Sequence, residues 1–151
     1  MLALRNSAKA VIIQDQHILV IKKQAGESIF YTLPGGGQKP GETLPQALER
    51  ECMEELGIHV KVGNLLYIRE YIGKHHEFAN TDSEIHQVDF LFACKIIRDE
   101  SPVRGDKPDK RQVGIEWLPI NQLDEFPLYP AVLRKVLRQL PPEKVYLGDV
   151  N

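Results

Sequence analysis

Residues 35–58 read GGGQKPGETLPQALERECMEELGI, a dense turn signal running straight into a helix. Gly and Pro crowd residues 34–42, where a backbone can turn tightly or approach another group closely. Thr43 then starts the helix. Its hydroxyl can satisfy a first-turn amide, Gln46 completes a Thr-x-x-Gln capping box, and Pro45 sits in the first turn, where no amide hydrogen is missed. Gly57 is placed to end the helix after about fourteen residues.

The helix carries its charges in an unusual place. At about 100° per residue from Leu44, Leu48, Cys52 and Leu56 fall near 40°, 80° and 120° and define an apolar stripe. Glu51, Glu54 and Glu55 fall near −20°, −80° and 20°, while Gln46, Arg50 and Met53 take the outward face. The carboxylates therefore overlap one border of the stripe, and Glu55 projects between Leu44 and Leu48. Partly buried like charges repel and lose hydration. They can be protonated, be paired with Arg50 or another base, or ligate a hard cation. Clustered oxygen donors suit Mg²⁺ or Mn²⁺, and Mg²⁺ commonly works beside substrate phosphates. A solvated acidic face is the plain alternative.

The glycines fit neither of two familiar phosphate loops. Gly36 and Gly41 have P-loop spacing, but Glu42-Thr43 stands where Lys-Ser/Thr is needed, and Pro40 replaces the third glycine of a dinucleotide fingerprint. Taken as one pattern, Gly36-x5-Glu42-x7-Arg50-Glu51-Cys52-Met53-Glu54-Glu55-Leu56-Gly57-Ile58 resembles the Nudix box, G-x5-E-x7-R-E-U-x-E-E-x-G-U with U aliphatic. Every fixed position is filled, and Cys52 stands at an aliphatic one, where a buried thiol acts as a small hydrophobe.

That resemblance implies an α/β/α sandwich around a mixed β-sheet. It also implies a metal-dependent pyrophosphohydrolase that cleaves a nucleoside diphosphate linked to another group X by water attack at phosphorus. Residue by residue, Glu51, Glu54 and Glu55 become metal ligands with a backbone carbonyl at Gly36. Arg50 would orient Glu51, Glu42 would tie the loop to the helix, and Gly57 keeps its helix-ending place in the box. The cofactor implied is Mg²⁺ or Mn²⁺, and the partner a small nucleotide, with a homodimer open. The proton acceptor is a box glutamate or a loop carboxylate among Glu77, Asp82, Glu84, Asp106 and Asp109. Some members carry a loop glutamate before the Trp-bearing strand; Lys110-Arg111 occupies that place here. The segment FPLYPAVLRK lacks the asparagine that 8-oxo-guanine-sanitising members carry near the last helix. No substrate-binding residue is assigned. A Nudix-fold domain that senses a nucleotide without cleaving it is the rival reading, and an acidic-helix interaction module a third.

Working outward, AKAVII (8–13) and HILVIKK (17–23) are β-rich runs around Gln14-Asp15-Gln16 and read as a hairpin. A short strand, 30–33, precedes the glycines. Strands near 60–73, 85–97 and 113–118 follow, with polar loops at 74–84 and 98–112, and Leu133, Val136, Leu137 and Leu140 recur at helical spacing near 130–139. Strands, a central helix, more strands and a terminal helix suggest a mixed sheet with packed helices. One domain over 1–140 is expected, with a loosely packed tail at 141–151.

The chain of 151 residues is 42% hydrophobic and 26% charged, ordinary for one globular domain. A net charge of -2 favours neither bulk nucleic acid nor an anionic membrane. Cys52 and Cys94 match no zinc spacing and are expected as buried free thiols. The N-terminal apolar run, Ala10–Ile13, is shorter than a signal peptide or membrane span requires, so a cytoplasmic protein is expected. Lys22, Lys23, Arg69 and Lys74 are read as solvated, as is the pair His75-His76. Tyr67 and Tyr71 can stack a base, whereas Phe90 and Trp117 are read as core.

Overall fold

The computed structural model describes residues 3–151, so the first two residues of the expected 1–140 domain lie outside it. In chain order the elements are β1 (Ala3–Gln14), β2 (His17–Ala25), β3 (Ser28–Thr32), β4 (Gly35–Gly37), α1 (Leu44–Leu56), β5 (Val60–Ile72), α2 (Ala79–Asp82), β6 (Ile85–Ile96), β7 (Gln112–Pro119), α3 (Leu133–Val136) and β8 (Tyr146–Asp149). The β1–β2 hairpin turns on Asp15 and Gln16, both left-handed at φ 49° and 62°, as a two-residue loop between right-twisted strands requires.

The strands run in the order β3-β2-β1-β6-β5-β8, with β4 added to β1 and β7 to β2. β1 pairs with β6 in parallel and β5 with β6 antiparallel, so the sheet is mixed. β1 and β2 stay paired only at Ile13↔Ile18 and Gln14↔His17. Where they part, Gly35–Gly37 inserts and pairs with Ser7–Lys9. The glycines expected as a turn are therefore a short strand, because β1 has a free edge there and residues without side chains can lie against it.

Alternation along β1 assigns its two faces. Ala8, Ala10 and Ile12 pack with Leu48, Cys52 and Leu56 of α1. Val11 faces the other way, into a second core with Leu123, Leu133 and Leu137. Helices thus cover both faces, the α/β/α sandwich. The capping box at Thr43 and Gln46 is formed, and Gly57 ends α1 in the left-handed conformation. Cys52 and Cys94 are buried free thiols, and burial pushes Cys94 up to about 12.

Two further elements differ from expectation. The last helix shrinks to Leu133–Val136, flanked by turns, because Pro130 and Pro141 bracket the segment. The tail is loosely held only over 141–145, which is largely exposed. Beyond it, β8 lies parallel to the open edge of β5. Asp149 accepts from the Ile72 amide at 2.9 Å, from His75 at 2.8 Å and from His76 at 2.6 Å. Periodicity could not find a strand whose pairing partner lies so far back in the chain.

Candidate active site

The parting of β1 and β2 positions the glycines against the second half of α1, at Glu51 and Glu55. Gly35 has φ 132°, and a Cβ there would come 2.0 Å from the Ala8 carbonyl oxygen. Its amide donates to Glu55 at 2.8 Å. Gly36 lies against Glu51 so closely that a Cβ would come 2.6 Å from the carboxyl carbon. Gly35 needs glycine for its backbone angle and for space, whereas a side chain at Gly36 would have to displace the end of Glu51.

Arg50, expected on the outward face, folds back and gathers the loop and the helix. Its guanidinium donates to Glu42 at 2.7 and 3.2 Å, to the Gly37 carbonyl at 3.0 Å, to Glu51 at 3.0 Å and to Glu54 at 3.3 Å. The planar fork lets one side chain serve several oxygens at once. Its hydrogen bond and the Lys39 amide hold Glu42 down to about 2. Glu42 in turn leads the groups that raise Arg50.

Glu55 stands apart from this network. It is 3% exposed, and burial pushes its carboxyl up to about 7 against the opposing pull of the Gly35 amide and Lys9. The loop at 98–112 closes over the end of α1. The Val103, Gly105 and Lys107 amides donate to the carbonyls of Leu56, Glu55 and Glu54, and the Gln112 side chain to Glu55 as well. Helix-end carbonyls that would otherwise lack partners are thereby satisfied.

As the side chains stand, no group of three or more His, Cys, Asp or Glu among the described residues is arranged to hold a metal ion. The donor types nonetheless suit a hard cation. Glu51 and Glu54 share one amino group of Arg50, the Gly36 backbone touches the Glu51 carboxylate, and all the donors are oxygens.

A NUDIX domain model matches residues 3–140. The chain belongs to the Nudix hydrolase family. Members of this family generally use divalent metal ions. The Nudix chain is 28% identical over 110 residues to the ADP-ribose pyrophosphatase of Methanocaldococcus jannaschii, covering 72% of this chain and 61% of that one. It is 32% identical over 89 residues to nucleoside triphosphatase NudI of Enterobacter sp. strain 638, covering 55% and 63%. Among solved structures, the MutT Nudix hydrolase of Burkholderia pseudomallei matches with a TM-score of 0.61 and 30% identity, covering 78% and 84%. The chain spans less than two thirds of the length of each of the first three curated relatives it matches.

The structure thus brings Gly36, Glu42, Arg50, Glu51 and Glu54 of the Nudix box together, with Glu55 behind them and Gly57 at the helix end. Among the loop carboxylates, Asp109 pairs with Lys23 at 2.8 Å and Asp82 accepts from the Tyr71 hydroxyl at 2.7 Å. Arg69 is not solvated: it is 6% exposed and paired with Asp89 at 2.7 Å. The two face each other across β5 and β6, and opposite charges in two apolar strands were the signal available for that pair. Lys22 pairs with Glu116 at 3.3 Å, and the Tyr67 hydroxyl is taken by the Val136 carbonyl. No helix is long and apolar enough to cross a membrane among the described residues.

Proposed function

We propose that this chain hydrolyses the diphosphate linkage of a nucleoside diphosphate bonded to a further group X, with Mg²⁺ or Mn²⁺. The observation that carries the reading is the single guanidinium of Arg50 binding Glu42, Glu51 and Glu54 beside the Gly36 backbone. A structural ion pair needs one carboxylate. An arrangement that holds three acidic side chains next to a glycine strand suits a site that must also accept phosphate.

Glu51 and Glu54, with the Gly36 carbonyl and with Glu55 behind them, are the residues that would hold the cation. When bound, it supplies charge neutralisation at the phosphoryl oxygens and Lewis acidity. Arg50 holds the Glu51 and Glu54 carboxylates beside each other and shares their charge. Glu42 anchors Arg50 and ties residues 37–42 to α1. A box carboxylate takes the proton of the attacking water as the new P–O bond forms. The bridging P–O bond breaks, and its electron pair leaves with the departing phosphate. Asp109 is a poorer acceptor because Lys23 already occupies it. Two buried thiols without a disulfide fit a reducing compartment such as the cytoplasm.

The test is a phosphate-release screen coupled in parallel to pyrophosphatase and to phosphatase. It covers nucleoside triphosphates, ADP-ribose, sugar nucleotides and dinucleoside polyphosphates with Mg²⁺ or Mn²⁺. Turnover of one class that falls by about a hundredfold or more in Glu54→Gln is expected. A folded protein that binds nucleotide and turns over none of these classes would be a sensing domain instead.

A further inference from the structure

The short α3 stops at Val136, and it leaves one end of the sheet face opposite α1 uncovered, where β1 and β6 finish and β5 begins. A cleft of about 620 Å³ opens there. That is within the roughly 300–1,000 Å³ of small-molecule sites. Val11 and Ala93, partners across β1 and β6, form its floor. Ile13 lies along it, 37% exposed, and Leu140 and Pro141 wall it from the chain that follows α3. Bulges in β5 between Val62 and Leu65 and between Leu65 and Tyr67 turn Leu66 onto the same face.

The polar end of this cleft is made by two lysines. Lys61 and Lys95 stand directly opposite each other across β5 and β6, and both line the cleft. Their neighbours Val60, Val62, Cys94 and Ile96 pack toward α1, so alternation puts the two lysines on the cleft face. Both are exposed, and neither has a hydrogen-bond or ion-pair partner among the described residues. Lys22 and Lys23, by contrast, are paired with Glu116 and Asp109. Like charges directly opposite in a sheet are destabilising. An anion placed between them removes the repulsion and accepts a charge-assisted hydrogen bond from each.

We infer that this cleft binds a fatty carboxylate of medium length, its head between Lys61 and Lys95 and its tail on Val11, Ala93, Leu66 and Leu140. From β1 to β5 the floor spans two strand spacings, roughly 10 Å, which suits a medium acyl chain and leaves a long one overhanging. A bare phosphate would leave the apolar floor uncovered. A peptide would bring amides that the floor cannot satisfy, since Asn64 is the only side-chain amide or hydroxyl lining the cleft among the described residues. An anionic bilayer is held by roughly 4–8 clustered cations, and this end of the sheet presents a pair in a concave site. The cleft lies on the face away from α1, so it is a second site, and it stands whether or not the acidic site cleaves nucleotides.

Its test needs neither metal nor turnover. Decanoate, decanol, acetate and decyltrimethylammonium are titrated as monomers into the full chain, followed by calorimetry and NMR shifts. Decanoate is expected to bind about tenfold or more tightly than decanol, which has the tail without the charge, and than acetate, which has the charge without the tail. The shifts should centre on the methyl groups of Val11, Ile13, Leu66, Ala93 and Leu140. Lys95→Glu sets opposite charges across the two strands, so Tm should rise by roughly 1–4 °C while decanoate affinity falls about tenfold or more. The same variant should gain affinity for decyltrimethylammonium. Lys61→Met should weaken decanoate and leave decanol unchanged. Equal affinity for decanoate and decanol, no decanoate binding at millimolar concentration, or shifts centred elsewhere would overturn the assignment. So would decanoate binding that Lys95→Glu leaves unchanged. Co-sedimentation with phosphatidylglycerol vesicles by a protein that ignores monomeric decanoate would also overturn it, as the mark of a membrane-facing surface.

Discussion

Glu55 occupies a position where a charge is costly, 3% exposed among apolar side chains of α1 and β1. The helical wheel placed it between Leu44 and Leu48, so its burial was legible from spacing alone. Its partner was not, because the Gly35 amide comes from a strand that the glycine content disguised as a turn. The shift gives a pH dependence whose sign follows directly. Its carboxyl titrates near 7 when folded, against an ordinary 4.5, so folding favours the protonated form. Stability from this group is complete below the unfolded value, falls as pH rises between the two values, and levels off above the folded one. Glu55→Gln keeps an acceptor for Gly35 and removes the charge. In EDTA it should stabilise the protein at pH 8 by roughly 3 kcal/mol and hardly at all at pH 4, measured by urea denaturation. Equal effects at both pH values would mean that the carboxylate is not penalised by burial. If the proposed function holds, the same variant loses activity, a stability gain made at the expense of the site.

At the scale of elements, α1 is a helix whose two ends are secured differently. The capping box at its start is local and was visible as Thr43 and Gln46 three residues apart. Its far end is closed by Gly57, also visible, and by the loop at 98–112, which was not. A loop some fifty residues later supplies amides to the carbonyls of Glu54, Glu55 and Leu56, and no periodicity in the loop announces that role. Gly105 is where it must come nearest: a Cβ there would lie 2.1 Å from the Glu54 carbonyl oxygen. Gly105→Ala should therefore cost about 1–3 kcal/mol and lower Tm by roughly 2–10 °C. Hydrogen exchange should quicken at Val103, Gly105 and Lys107 while α1's first turn stays protected. An unchanged Tm would show that the loop does not hold the helix end.

For the whole molecule, the order of strands decides what closes the sheet. β8 covers the edge of β5, and Arg69 reaches from the Asp89 carboxylate to the Val150 carbonyl and the Asn151 side chain at 2.8 and 2.9 Å. Deleting residues 146–151 would leave a buried guanidinium two partners short and a long strand edge open. Tm should fall by about 5 °C or more, and light scattering should report association; a fully stable monomer would show the tail to be dispensable. What the sequence alone determined was local. Capping residues, helical spacing and the Gly–Glu–Arg pattern are set within a turn or two of chain, so α1, its apolar stripe and the family resemblance could be read directly. Tertiary structure decided the pairings between distant segments: β4 against β1, β8 against β5, Arg69 with Asp89, the late loop on α1, and Arg50 turned back onto three carboxylates. Those contacts depend on which edge, carbonyl or charge is left unsatisfied once the rest has folded, and only the assembled molecule settles that.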